Sequence, residues 1–497
     1  MPHPGGPRCS PRNKFRLSTP GRCLTDIRLA EYPARDQHDG LAARSQSLQG
    51  ILRPAFRYGT AEASPKYGEY IKQRTGAWMT DDSFIVEQIA VRIVNSDSTD
   101  EAYELYKIFA PLLTDYKFAF ASGLGPLPGF AVNRNFSAGA AIRSLFRSER
   151  VFVLDTETVE EMEKGGSSFH IDYSISLDTN AMSYLEPYIA GRQGGGIPRD
   201  FSEVFAFIAR PDVYVDPLPY FTENRFKLAD SKKPESIYNN LIAYEALRTI
   251  DAEWLERNGE VRSTLTGSEL AALAQDHMSR MYFDLGNQSA MKGLARRYQY
   301  GYACLLKMTA IQLKAPGAPA SRKMTAFAEF CHSTLSSMAA REIAVAKAYF
   351  HQGQKHRFFH KIQKNKDNIL DIIRNMAWDM WHVRQLEQSF AQNPSDTARY
   401  FFPALLTFDR GLIEIMDLYR LKACAYNVKT RRPLPVFDGD PFLLLGTDEQ
   451  DGKQLFDKYY SEESITQRRS ALEATLSDFD LIIEMLEQDV LKVTHPG

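Results

Sequence analysis

A chain of 497 residues with 44% hydrophobic content exceeds what one hydrophobic core usually serves, so two or more packed domains are expected. No run approaches the roughly 18 apolar residues of a membrane span, and the N-terminus lacks a charged segment followed by an apolar one, which argues against membrane-spanning and secreted classes and for a cytoplasmic protein. A net charge of −2 gives no global pull toward nucleic acid, and the scattered Cys9, Cys23, Cys304, Cys331 and Cys424 form no Cys-x-x-Cys pair for zinc or redox work.

Residues 1–57 carry ten Arg and Lys against four Asp and Glu, with frequent Pro and Gly and no apolar periodicity, so a disordered basic leader is predicted over 1–80. A small α+β domain is predicted over 83–165. It begins with Phe84–Val86 and Ile89–Val94 as a strand pair or one long strand, followed by a helix capped at Thr99–Glu101 with an apolar face through Tyr103, Leu105, Ile108, Phe109 and Leu112. The Gly123–Gly129 segment has the glycines of a phosphate loop, but its two prolines remove amide donors and no Gly-Lys-Ser/Thr follows, so it reads as an ordinary loop.

Tyr173–Leu177 is an apolar strand-like run that delivers Asp178, Thr179 and Asn180 at its carboxyl end. Helices follow over 181–189 and 201–209, then a strand over 213–215, and this alternation suggests parallel βαβ units. The stretch from about 235 to 365 is helical in pattern and reads as an insertion. Ala404–Thr407 ends another strand before Asp409, and a helix is expected over 412–421. A last helix, over 460–492, places Ile465, Leu472, Leu476, Phe479, Ile483, Leu486 and Val490 on one apolar seam, which would dock on its own core or form a homodimer.

Acidic residues recur where chemistry is placed in such a sheet: Asp178 after the first strand, Glu223 after the second, Asp379 opening a helix, and Asp409 after Leu405-Leu406-Thr407-Phe408. Hard divalent ions prefer oxygen ligands and keep several waters, so three or four carboxylates without His or Cys suit Mg²⁺ or Mn²⁺. The competing reading is that each Asp caps a helix. A second acidic motif, Asp155-Thr156-Glu157, lacks the later His or Tyr ahead of an Asp that exonucleases of that pattern need, and reads as a surface turn or helix start.

These pieces, in this order, resemble the PIN-domain ribonucleases over roughly residues 173–440. The resemblance implies an α/β fold with a PIN-like parallel sheet flanked by helices, here a nuclease domain over 170–440 with the insertion at 235–365. It also implies that Asp178, Glu223, Asp379 and Asp409 hold Mg²⁺ or Mn²⁺ for cleavage of RNA phosphodiesters, with Asn180 and Thr407 at the auxiliary polar positions. Glu245 competes with Glu223 for the second acidic position; Glu223 is preferred because it sits just past a strand. Many such proteins are toxins or defence effectors with an inhibitor or antitoxin partner. A metal-dependent DNA nuclease and a catalytically silent nucleic-acid-binding scaffold stay open.

The run from Lys355 to Lys366 interleaves cations with Phe358 and Phe359. Lys355, Arg357, Lys361 and Lys364 could contact phosphates while the rings stack on unpaired bases of an RNA substrate. A solvated face over two buried phenylalanines explains the same residues, and the i,i+4 pair His356 and His360 lacks a third metal ligand nearby.

Overall fold

The computed structural model describes residues 82–123, 133–165, 170–192, 196–229, 233–391 and 398–495. The basic leader and the 124–132 part of the Pro/Gly loop lie outside these. The described chain opens with α1 (Asp82–Val94) and α2 (Thr99–Phe109). The stretch expected as a strand is therefore a helix. Ile89, Ala90, Ile93 and Val94 are buried at helical spacing in a core shared with Phe118, Ala423 and Ala425, so packing on a distant strand overrides the β-branched composition. Ser98, not Thr99, caps α2 by accepting from the Glu101 amide.

Next come β1 (Tyr116–Ser122), β2 (Arg134–Asn135), β3 (Ala141–Ser144), β4 (Arg150–Leu154) and α3 (Thr156–Glu163). Asp155 caps α3 and is buried rather than on a surface turn, accepting hydrogen bonds from the Thr158 amide and the Tyr400 hydroxyl. Then follow β5 (His170–Leu177), α4 (Thr179–Ile189), α5 (Phe201–Ile208), β6 (Val215–Asp216) and α6 (Leu218–Arg225).

The helical insertion comprises α7 (Pro234–Arg248), α8 (Ala252–Asn258), α9 (Gly267–Gly286), α10 (Gln288–Lys314), α11 (Ala320–Ser333) and α12 (Ala340–Gln352). After two 3-10 turns the chain forms α13 (Ile369–Phe390), β7 (Ala398–Thr407), α14 (Arg410–Leu418), β8 (Leu421–Asn427) and β9 (Pro433–Phe437). It finishes with α15 (Pro441–Leu445), α16 (Glu449–Tyr459), α17 (Glu462–Ser477) and α18 (Phe479–Thr494). The single C-terminal helix expected over 460–492 is thus two helices that break at Asp478. Phe479, Ile482, Leu486 and Val490 are buried in a core shared with α10, whereas Leu476 of the expected seam is exposed.

The fold is α/β with two sheets. One is antiparallel in the order β4-β1-β8-β9; the other runs β2-β3-β7-β5-β6. In the second, β7, β5 and β6 are parallel while β3 enters antiparallel beside β7, so the sheet is mixed rather than wholly parallel. The segment expected as a separate domain over 83–165 is shared between both sheets, because β1 pairs with β8 and β3 with β7; all described residues fall within one unit, 36–497.

Between the sheets, Val151, Val153 and Cys424 of the first meet Tyr400, Phe402 and Leu405 of the second, and Val383, Leu386 and Phe390 of α13 close the core. The opposite face of the parallel strands packs Ile175, Leu177 and Leu406 on α4, α5 and α7. This layering explains why β7 is apolar almost throughout, whereas β5 alternates, the hydroxyls of its Ser174 and Ser176 donating to Asp216 of β6.

Candidate active site

The register of β5 and β7 aligns Leu177 with Leu406, so both chains leave the sheet side by side, and the Asp178 amide donates to the Leu406 carbonyl at 3.2 Å. Asp178 then caps α4, accepting from the Ala181 amide at 2.6 Å, and Asp409 caps α14, accepting from the amides of Gly411 (2.7 Å) and Leu412 (3.2 Å). Both residues therefore do cap helices, as the competing reading expected. Capping uses one oxygen of each; Asp178, which is buried, is also bonded by the Thr407 hydroxyl, and the second Asp409 oxygen lies near Lys361.

Two further carboxylates come from helices. Glu223 lies within α6, seven residues past the end of β6, and its Oε2 accepts from the Thr179 hydroxyl at 2.5 Å while Lys227 pairs with Oε1 at 2.5 Å. Asp379 lies in the middle of α13 rather than at its start. The apolar face of that helix begins a full two turns earlier, with Ile369, Ile373, Met376 and Met380 buried at helical spacing.

The charges of Asp409 and Glu223 bear on Asp178 and Asp379. Burial raises the Asp178 carboxyl to about 6; the hydrogen bonds from Ala181 and Thr407 oppose this, and the charges of Asp409 and Glu223 add to it. Desolvation, followed by the charges of Asp409, Asp178 and Glu223, holds the Asp379 carboxyl well above the usual carboxylate range. Glu223 moves the other way: burial pushes it up, but His382, Lys227 and the Thr179 hydroxyl outweigh that and lower it. Burial also lowers His382 to about 4, so its ring is neutral near pH 7 and Lys227 is the cation that sustains the Glu223 anion there.

Among the described residues no three His, Cys, Asp or Glu side chains form a ready-made cage for a metal ion. Asp178, Glu223 and Asp409 each accept hydrogen bonds from local donors. By chemistry alone, carboxylate oxygens are the donors that a hard divalent cation prefers.

Of the auxiliary residues, Thr407 is fully buried between the two strand-end acids, bonding the Asp178 carboxyl and accepting from the Asp409 amide. Asn180 is exposed and lines a cavity of about 450 Å³ with Tyr184, Arg357, His360, Phe408, Asp409, Arg410 and Gly411. Glu245 is elsewhere: on α7 it meets His277 Nε2 at 2.6 Å and Arg248 at 3.2 Å.

The basic run adopts two short 3-10 turns, not a helix face. Lys355, Arg357, Lys361 and Lys364 are exposed, whereas Phe358 and Phe359 are buried, the latter stacked on Tyr349 with ring centroids 3.9 Å apart. Base stacking by these two rings, one of the expectations from sequence, is therefore ruled out by their place in the core. Two of the cations do reach the acidic cleft. Lys361 Nζ stands 3.5 Å from Asp409 Oδ2, and Arg357 pairs with Glu414 of α14 at 3.3 Å.

Sequence reading assigned no role to Thr179 and Phe408, which lie in its motifs, and left out Tyr184, Lys227, His382 and Arg410 at this site. Lys227 follows Glu223 by four residues and His382 follows Asp379 by three, helical spacings that would have flagged both.

The turn carrying Arg357 is seated by Gly411. A Cβ there would stand 2.8 Å from Phe358 Cα and 3.0 Å from Asp409 Oδ1. Gly411→Ala is expected to cost about 1–3 kcal/mol, as overpacking does, and to weaken any activity at this cleft by displacing both the turn and Asp409. Denaturant melts check the first effect, and a wild-type midpoint would mean that the turn is not packed this tightly.

Compared with protein-family models, with curated proteins and with solved structures, the chain matches none.

Proposed function

We propose that this chain is a metal-dependent ribonuclease with a PIN-like catalytic centre. The observation that carries the reading is that Asp178 and Asp409 leave the parallel strands β5 and β7 side by side, bridged by Thr407, with the charges of Asp409 and Glu223 adding to the burial that raises the Asp178 and Asp379 carboxyls. Those four residues would hold Mg²⁺ or Mn²⁺, which supplies an activated water and neutralises the leaving oxygen in phosphodiester hydrolysis.

The chain's own groups do the rest. Thr407 orients Asp178, and Lys361, half-exposed beside Asp409, is placed to hold a phosphate oxygen. Tyr184 and Phe408, in edge contact with centroids 5.2 Å apart, offer aromatic surface at the cavity for an unpaired base. The choice of RNA over DNA rests on the resemblance of the strand-end motifs, so the test includes both.

Purified protein incubated with labelled single-stranded RNA and DNA in Mn²⁺, with and without EDTA, is expected to cut RNA only when the metal is present. Cleavage of DNA alone would assign a DNA nuclease, and binding without cleavage a scaffold. Replacing Lys355, Arg357, Lys361 and Lys364 together with Ala should weaken RNA binding and flatten its salt dependence. Each phosphate of a single strand that is no longer neutralised takes about 0.7 off the log–log slope, and the partners already held by Arg357 and Lys361 keep the total near 1–3. An unchanged slope would return the run to a solvated face.

A further inference from the structure

His382 lies on α13 three residues after Asp379, one turn along the same side of the helix. It is 2% exposed, and neither ring nitrogen has a hydrogen-bond partner. Interior polar groups are almost always satisfied, so a doubly unpartnered imidazole beside the Glu223 carboxylate calls for a reason other than packing. Its Nε2 stands 3.8 Å from Glu223 Oε2.

Building on the metal reading above, we propose that His382 is a further ligand of the cation held by the acidic cluster, making a mixed nitrogen and oxygen site that takes a first-row transition-metal ion in preference to Mg²⁺.

The spacing permits it. Donors sit about 2.1 Å from such ions, so two donors on one ion can be at most about 4.2 Å apart, and the Glu223–His382 separation lies inside that limit. Glu223 is currently paired with Lys227, whose side chain is 39% exposed. It can swing to solvent once an ion supplies the positive charge. A ligating histidine also needs an acceptor for its other ring N–H. One turn further along α13, the Gln385 amide donates to Thr222, next to Glu223, and its buried Oε1 is without a partner. Chemistry sets the selectivity: Mg²⁺ favours all-oxygen sites and retains its waters, whereas imidazole nitrogen strengthens binding along the first transition row.

The test is metal binding by the full chain, read without reference to cleavage. Titration calorimetry with Mn²⁺ and with Mg²⁺ compares wild type, His382→Gln and Asp178→Asn, and pulsed EPR of the Mn²⁺-loaded wild type looks for nitrogen coupling from a bound imidazole. Wild type is expected to prefer Mn²⁺ by about tenfold or more. His382→Gln should lose about tenfold in Mn²⁺ affinity and less than about twofold in Mg²⁺ affinity, with nitrogen coupling present in the wild type. Unchanged Mn²⁺ affinity in His382→Gln, or no nitrogen coupling in wild type, overturns the assignment of His382. The acidic site itself survives that result if Asp178→Asn still abolishes binding. Equal metal binding by wild type and Asp178→Asn, or none by either, sinks the acidic-site reading and this inference with it. Should His382→Gln fail to fold, the spectrum of the wild type decides alone.

Discussion

Asp178→Asn is expected to abolish cleavage while making the metal-free protein more stable at pH 8. The amide keeps the shape of the side chain and still accepts from the Ala181 amide, since Asn caps helices about as well as Asp. What it loses is the negative charge that would hold the cation, and removing one such preorganised electrostatic group costs about 10²- to 10³-fold or more in rate.

The stability effect follows from the direction of the Asp178 shift. Its carboxyl rises from an ordinary 3.8 to about 6 on folding, so between those values the folded chain binds more protons than the unfolded one. Stability therefore falls as pH rises through that window, and above about 6 a constant penalty remains. That rise corresponds to roughly 3 kcal/mol. Asn carries no such penalty. In EDTA, the gain of Asp178→Asn over wild type should be largest at pH 7–8 and vanish near pH 4. Thermal melts across pH check the sign, and a wild type that becomes steadily more stable from pH 4 to 7 relative to the variant would contradict it.

Arg384→Leu should destabilise the protein by about 3–5 kcal/mol. Glu342 on α12 is fully buried, and Arg384 on α13 donates to both its oxygens, the Nε bond at 2.7 Å. Arg384 itself is 28% exposed, but removing it strands the fully buried Glu342 charge. The same two helices are joined again by Arg341 and Glu387. Since α13 carries Asp379 and His382, this double clamp connects the helical insertion to the site. Calorimetric Tm and the denaturant midpoint measure the loss, and the double variant Glu342→Gln/Arg384→Leu should recover much of it. A single variant as stable as wild type would show that the pair is solvated rather than buried.

The strand-end acids were legible because their signals are local. A strand-like run followed by Asp at a helix start announces Asp178 and Asp409 without knowledge of any partner strand, and the helical character of 235–365 is likewise a matter of short-range spacing. Glu223 and Asp379 were nameable, but their settings were not. Both sit inside helices, and they come near Asp178 only because β5 lies between β6 and β7 and α13 packs across that sheet. The helix at 82–94, the antiparallel entry of β3 and the union of residues 116–122 with 421–427 all depend on pairings hundreds of residues apart. His382 illustrates the division most sharply. Its spacing from Asp379 is visible in the chain, but that both its nitrogens are buried and unpartnered beside Glu223 is a property of three packed elements. Periodicity and capping are written within a few residues, whereas burial and electrostatic coupling depend on which surfaces meet, and only the tertiary fold decides that.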